Sequence, residues 1–251
     1  MSKNSDNRRN EITKLVLSKG KVRVDELIKL MNVTAETIRS DLNFLEAKGV
    51  LYRTHGGATS RNVKVDIPMD IRLKEQMELK RQICYCAINY VNDDDIIFID
   101  PSSTAFPLGR LLCLKKNLTI VTNSMELVPV LAESDHKIII LGGTYSKRGK
   151  RTFGGYSLEM LDSLYFDLSF IGMDGCKDID GPATTSEEET YINKIVLRRS
   201  KKNIIISDSS KFENHANFQF AKFSDFDLLI TNKISEDEKR RIGIEVIEAA
   251  A

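Results

Sequence analysis

Residues 20–57, GKVRVDELIKLMNVTAETIRSDLNFLEAKGVLYRTHGG, constrain the fold more than any other stretch of the chain. They read as two short helices joined by a tight turn and followed by a small wing. Leu27, Ile28, Leu30 and Met31 give the first helix an apolar stripe, Asn32 and Val33 make the turn, and Thr34 is placed to cap the second helix. In that second helix Ile38, Leu42 and Leu45 recur at spacings of four and three, which is one buried face. Its other face carries Glu36, Thr37, Arg39, Ser40 and Asn43, the donors and acceptors that reach base edges and phosphates. Gly49 is a C-terminal stop, and Val50 to Arg53 with His55-Gly56-Gly57 fit the strand and tip of a wing. A helix over roughly Asn7 to Ser18 adds Ile12, Leu15 and Val16 as a third packing partner. The pattern predicts a winged helix-turn-helix over residues 3–58, with the helix-turn-helix at about 20–39 and a recognition helix at about 34–48. Thr34, Glu36, Thr37, Arg39, Ser40, Asn43, Arg53 and His55 are the candidate DNA-binding residues. A helical hairpin with an ordinary solvated face is the competing reading.

Charge supports a polyanion partner for this module. Residues 1–60 hold 11 Lys and Arg against 7 Asp and Glu, whereas the other 191 residues hold 26 against 29. Residues 59–73, polar with one Pro and no helical stripe, read as an extended linker. Beyond them, short apolar runs alternate with amphipathic segments. Candidate strands are Ile96–Asp100, Leu118–Thr122, Lys137–Leu141, Leu168–Gly172, Asn203–Ser207 and Leu228–Thr231. Helical segments are expected near 74–91, 104–113, 124–134, 156–164, 187–200 and 235–248. Strands without period-two alternation, separated by helices, predict an α/β domain over 74–251: a mostly parallel sheet with helices on both faces.

In such sheets ligands gather at the carboxyl ends of the strands. Here those ends read Asp100-Pro101-Ser102-Ser103-Thr104, Thr122-Asn123-Ser124, Gly142-Gly143-Thr144, Gly172-Met173-Asp174-Gly175 and Ser207-Asp208-Ser209-Ser210-Lys211-Phe212. Small hydroxyl residues leading into a helix offer amides and short donors to a phosphate, and Lys211 supplies a cation. Five polar loops on one sheet edge suit a small anionic, hydroxyl-rich ligand. A packed scaffold without a ligand is the bland alternative, since any one such loop is ordinary turn chemistry.

The segment VTAETIRSDLNFLEAKGVLYRTHGGA resembles the N-terminal signature of the DeoR family of bacterial transcriptional regulators. Thr34 stands where that family usually has Ser, and Arg39-Ser40-Asp41 where it has Arg-Arg-Asp, so one cation is missing from the DNA face. The resemblance extends over most of the chain. It implies a winged helix-turn-helix joined to an effector domain that looks like a sugar-phosphate isomerase. The family's Asp-x-Gly-Thr-Thr-like loop, Thr-Asn pair, Gly-Gly turn and Asp-x-Ser-Lys-Phe segment match Asp100–Thr104, Thr122-Asn123, Gly142-Gly143 and Asp208–Phe212. By that resemblance Ser102, Ser103 and Thr104 hold a phosphate, Lys211 contacts it or its neighbour, and Asp100 and Asn123 bind sugar hydroxyls. With Thr122, Gly142, Gly143 and Asp174, these residues make up the candidate effector-binding set. Ser102 replaces a frequent Gly. A family Glu-x-x-x-Lys feature drifts, with Glu189 present but Asn193 at the expected Lys, and neither is counted as a site residue.

A sugar-phosphate isomerase or deaminase-type enzyme activity in the C-terminal domain is the alternative from another class. Asp100, Asp174 and Asp208 each follow a candidate strand and are possible general bases. GGTYSKRGKRT is glycine-rich and basic but breaks the nucleotide-phosphate-loop spacing, so Lys147–Arg151 reads as a solvated loop, with contact to an effector phosphate or DNA as the alternative. Cys84, Cys86, Cys113 and Cys176 lack metal-ligand spacing and read as reduced thiols. No apolar run approaches the roughly 18 residues of a membrane span, and the polar start MSKNSDNRRN lacks a signal core, so a cytoplasmic protein is expected. The combined expectation is a repressor of a carbohydrate-metabolism operon, without cofactor, metal or catalytic residues. Its partners would be double-stranded operator DNA, a phosphorylated sugar, and further copies of itself as a homodimer or homotetramer.

Overall fold

The computed structural model describes residues 3–19, 21–54, 56–60 and 68–249. The chain folds as two units, Met1–Ile71 and Arg72–Ala251.

In the first unit α1 (Lys3–Lys19), β1 (Lys21–Arg23), α2 (Val24–Met31) and α3 (Ala35–Ala47) precede the strands β2 (Leu51–Thr54) and β3 (Gly57–Ser60). The three strands form an antiparallel sheet in the order β1-β3-β2. Ile12, Val16, Leu27, Ile38, Leu42 and Leu45 are fully buried in one core, so each of the three helices contributes one apolar face. One detail of the expected stripe is corrected. Leu30 is 57% exposed, and Val24 takes its place, because Val24, Leu27 and Met31 share a face that Leu30 lies off. Thr34 caps α3 by accepting from the Thr37 amide at 3.3 Å. Gly49 adopts φ +69° after the helix. Asp41, 1% exposed, accepts from Arg8 Nε at 2.5 Å and Arg9 Nε at 2.7 Å, which fastens α3 to α1. His55 and residues 61–67 of the expected linker lie outside the described residues. Pro68 precedes α4 (Met69–Arg72), so these last linker residues form a helical turn rather than extended chain, as suits a Pro just ahead of a helix start.

In the second unit α5 (Met77–Ala87) leads to β4 (Ile96–Ile99), α6 (Leu108–Leu111), β5 (Thr119–Thr122), α7 (Val128–Leu131) and β6 (Lys137–Ile140). A hairpin follows, β7 (Thr144–Ser146) and β8 (Arg151–Phe153), and then α8 (Gly155–Asp162) and β9 (Phe166–Ile171). The remainder comprises β10 (Ala183–Thr184), α9 (Glu187–Arg199), β11 (Ser200–Ile206), β12 (Phe218–Gln219), β13 (Leu228–Thr231), α10 (Glu236–Ile242) and β14 (Glu245–Glu248). Seven strands form one parallel sheet in the order β14-β13-β11-β9-β4-β5-β6. Side chains alternate across it. Ile97, Ile99, Ile204 and Ile206 enter a core with α5, α6 and α7, while Phe98 and Ile205 enter a second core with α8, α9 and α10. Burial on both faces is why these strands read as unbroken apolar runs.

Two expectations are overturned here. The segment 235–248 is not one helix: Gly243, at φ +69°, stops α10, and Glu245–Glu248 pairs with β13 as an edge strand. Lys147–Arg151 is not simply a solvated loop. It turns the β7–β8 hairpin, and Arg151 is 4% exposed with its Nε 2.7 Å from Glu189 Oε1.

Candidate functional site

The sheet changes direction between β4 and β9: strands after β4 add on one side, and strands after β9 on the other. Crevices form at such a switch point, beyond the carboxyl ends of the two strands. Asp100 ends β4 there, 6% exposed, with Oδ1 accepting the Ser102 amide at 3.0 Å and Oδ2 the Gly172 amide at 2.7 Å. Burial pushes its carboxyl above the usual range, and those hydrogen bonds oppose the shift. Gly172 is obligatory for this approach, since a Cβ on it would lie 2.4 Å from Ser102 Cβ.

Beyond Asp100 the chain turns tightly, Ser102 Oγ accepting the Ala105 amide at 3.1 Å. A regular helix begins only at Leu108, so the amides of Ser103 and Thr104 belong to a turn and not to a helix start. Among the described residues neither amide has a hydrogen-bond acceptor. Lys80 lies behind this turn. It is 3% exposed, and its Nζ donates to Ser103 Oγ at 3.0 Å and to the Arg72 carbonyl at 2.6 Å. Burial lowers the ammonium to about 8, with the Asp208 charge acting the other way. Lys211 approaches from the short helical turn after β11, and no side-chain hydrogen bond or ion pair engages it among the described residues.

The opposite wall comes from the loop after β9 and from α9. Asp174 Oδ1 accepts from Arg72 at 3.1 Å, and Oδ2 accepts the amide and hydroxyl of Thr185, both at 2.8 Å. Burial works against its charge, yet Arg72, the Thr185 amide and Lys211 hold the carboxyl below its usual range. Thr184 Oγ1 lies 3.2 Å from Asp174 Oδ2 and 2.5 Å from Glu189 Oε2. Glu189 also pairs with Arg151, but burial outweighs that cation and pushes its pKa up to about 7. A cleft lies between these walls, lined by Arg72, Asp100, Ser103, Asp174, Asn193 and Lys211.

Of the residues expected to bind an effector, Asp100, Ser102, Ser103, Thr104, Asp174 and Lys211 line this cleft. Thr122, Asn123, Gly142 and Gly143 do not. Thr122 Oγ1 donates to the Ile99 carbonyl at 2.7 Å, and the fully buried Asn123 donates Nδ2 to the Thr152 carbonyl at 2.9 Å. The Gly142 carbonyl accepts from Ser157 Oγ at 2.5 Å, and Gly143, at φ +140°, passes against the Phe153 carbonyl. Thr122 thus ties β5 to β4, while Asn123, Gly142 and Gly143 seat the β7–β8 hairpin and α8 at the ends of β5 and β6.

Arg72, Thr184, Glu189 and Asn193 line the cleft, and Lys80 lies behind its turn, though none of the five is counted as a site residue in the sequence reading. A signal existed for two groups of them. Lys80 lies on the same helical stripe as Ile83, Cys84 and Ala87, where a cation is out of place unless it is used. Glu189 and Asn193 are one turn apart, on one face of α9. The three candidate bases are committed to structure: Asp100 ties β4 to β9, Asp174 holds Arg72 and Thr185, and Asp208 caps its turn by accepting the Ser210 amide at 3.1 Å. No group of His, Cys, Asp or Glu suited to a metal exists among the described residues.

In the first unit Glu36, Arg39, Ser40 and Asn43 are exposed on one side of α3, with Thr34 at its start and Thr37 half-buried. The wing is fixed to this helix. The Arg53 amide donates to Glu46 Oε1 at 2.8 Å, and Arg53 Nη1 donates to Asn43 Oδ1 at 2.5 Å.

Both halves have counterparts among known proteins. Residues 8–64 match the DeoR-like helix-turn-helix domain, and residues 75–233 match the DeoR C terminal sensor domain. The HTH-type transcriptional regulator IolR of Bacillus subtilis is 28% identical over 229 residues, 91% of each chain. The lactose phosphotransferase system repressor of Staphylococcus epidermidis is 32% identical over 252 residues, spanning 97% of this chain and 99% of its own. Ribose 5-phosphate isomerase A of Neisseria gonorrhoeae shares 22% identity over 55% of this chain and 54% of its own, with a TM-score of 0.41, too slight a likeness to build on. A winged helix-turn-helix joined to a parallel α/β sensor domain defines a DNA-binding regulator. The chain belongs to the DeoR family of transcriptional regulators. No helix among the described residues is long and apolar enough to cross a membrane.

Proposed function

We propose that this protein is a cytoplasmic repressor of a carbohydrate-metabolism operon, released from its operator by a phosphorylated sugar. The observation that carries the reading is the cleft at the β4–β9 switch. There two unengaged turn amides and the uncommitted Lys211 converge in front of the buried Lys80, an arrangement of donors and positive charge that suits one phosphate. The sugar half of the reading draws on the S. epidermidis relative, which is named as a repressor of a lactose phosphotransferase system. Residues 3–58 act as the DNA-binding domain, 59–73 as the linker and 74–251 as the effector domain. Glu36, Thr37, Arg39, Ser40 and Asn43 face the major groove, with Thr34 and Arg53 at its flanks and His55 as a further DNA-binding residue. One small module binds weakly, so a homodimer or homotetramer reads half-sites about 10 bp apart, or a multiple of that.

The test is fluorescence anisotropy on DNA from upstream of the protein's own operon, at fixed salt, titrated with a panel of sugar phosphates. Tight binding lost with one compound is the expected result. Binding indifferent to every compound would remove the effector reading, and binding no tighter than to random DNA would remove the operator reading. Arg39→Ala should weaken operator binding about tenfold and flatten the salt dependence by about one phosphate contact. Unchanged affinity and slope would strike Arg39 from the DNA contacts.

A further inference from the structure

Asn193 is 5% exposed and lines the cleft, yet no side-chain hydrogen bond or ion pair engages its carboxamide among the described residues. Its oxygen and nitrogen are not among the buried atoms that lack a partner, so the carboxamide opens to the solvent of the cleft, where an entering ligand can meet it. Its position is firmly set. Glu189, one turn earlier on α9, is pinned by Arg151 at 2.7 Å and Thr184 at 2.5 Å, and Ile192 and Val196 beside it are buried in the core.

The distribution of charge around the cleft says what that something is. Lys80 stands behind the Ser103–Thr104 turn, and Lys211 lies close enough to both Lys80 and Asp174 to act on their charges. α9 packs on the other face of the sheet from α5 and α6, and its wall carries Glu189 with Asp174 nearby. The cations on that wall are already neutralised, Arg72 by Asp174 and Arg151 by Glu189. A second phosphate there would meet carboxylates and no uncommitted cation. A carboxamide, which both donates and accepts, matches a hydroxyl or a carbonyl oxygen instead.

Building on the effector reading of this cleft, we propose that Asn193 is its specificity residue. It pairs with a neutral oxygen at the unphosphorylated end of the effector, which restricts the site to monophosphates and excludes bisphosphates. A site built to pair a hydroxyl rejects a ligand lacking it far more sharply than an apolar wall does.

Calorimetric titration of the full-length protein tests this with inorganic phosphate, a panel of hexose monophosphates and fructose 1,6-bisphosphate. The wild type should bind at least one monophosphate ten times more tightly than either inorganic phosphate or the bisphosphate. Asn193→Ala should erase that advantage while leaving the affinity for inorganic phosphate within twofold. Asn193→Lys, which places a cation on the α9 wall, should turn the preference toward the bisphosphate. Thermal melts of both variants separate misfolding from altered selectivity, and Asn193→Ser serves if either fails to fold. If phosphate and monophosphates bind but their ratio ignores residue 193, the assignment of Asn193 fails and the effector site stands. A wild type that prefers the bisphosphate overturns the proposal as well. If no phosphate compound binds the wild type, the effector reading itself fails, and this one with it.

Discussion

Glu189 is a buried carboxyl wedged between the Arg151 guanidinium and the Thr184 hydroxyl, with a pKa pushed up to about 7 from the usual 4.5. The folded chain therefore binds this proton more tightly than the unfolded chain does. The stability it confers is complete below pH 4.5 and is lost as pH rises through 7. Relative to Glu189→Gln, which cannot titrate, the wild type should lose about 3 kcal/mol between pH 4.5 and pH 8. Urea unfolding of both proteins at several pH values checks this, and parallel curves would refute it. Little of this residue's setting was legible beforehand. Asp100, Ser102–Thr104, Asp174 and Lys211 follow strands directly, so reading the strand ends was enough to find them. The partners of Glu189 come from a hairpin and a two-residue strand, and only the folded chain brings them within reach.

At the level of elements, periodicity located helices wherever one face was buried, and strands wherever both faces were. It failed where a single residue decides. The sequence around 235–248 keeps helical composition, yet Gly243 takes a left-handed conformation and Glu-Val-Ile-Glu becomes an edge strand beside β13. Thr122, Asn123, Gly142 and Gly143 look like ligand loops by composition, but Thr122 ties β5 to β4, and the other three hold the expected helix α8 and a hairpin that no short-range pattern announced. Asp41 shows the converse, a motif residue whose work is structural. It is 1% exposed and receives Arg8 and Arg9 from α1, so Asp41→Asn leaves two guanidinium groups without their counter-charge. A loss of about 3 kcal/mol in the first unit is expected, read as faster amide exchange along α3. A loss under about 1 kcal/mol would show that the triad is dispensable.

For the whole molecule, the DNA-reading face and the cleft belong to separate units, each with its own core. An effector can change operator affinity only through a difference in its own affinity for two states of the protein. Lys211 lines the cleft with no side-chain hydrogen bond or ion pair among the described residues, and it lies far along the chain from α3. Lys211→Ala should thus abolish release by sugar phosphate while leaving operator affinity within about twofold. Release at the wild-type concentration would mean that the phosphate sits elsewhere.

The junction between β4 and β9 also governs when the sensor comes into being. Elsewhere in the sheet, neighbouring strands are successive strands of the parallel ladder. Across this junction Ile96 meets Asp167 from 71 positions away, and Asp100 meets Gly172 from 72. Long closures are slow to form because the chain loses entropy before any contact rewards it. Each flank of the sheet can therefore assemble from near neighbours as it leaves the ribosome. The crevice exists only once both flanks have met, so sensing depends on that long closure.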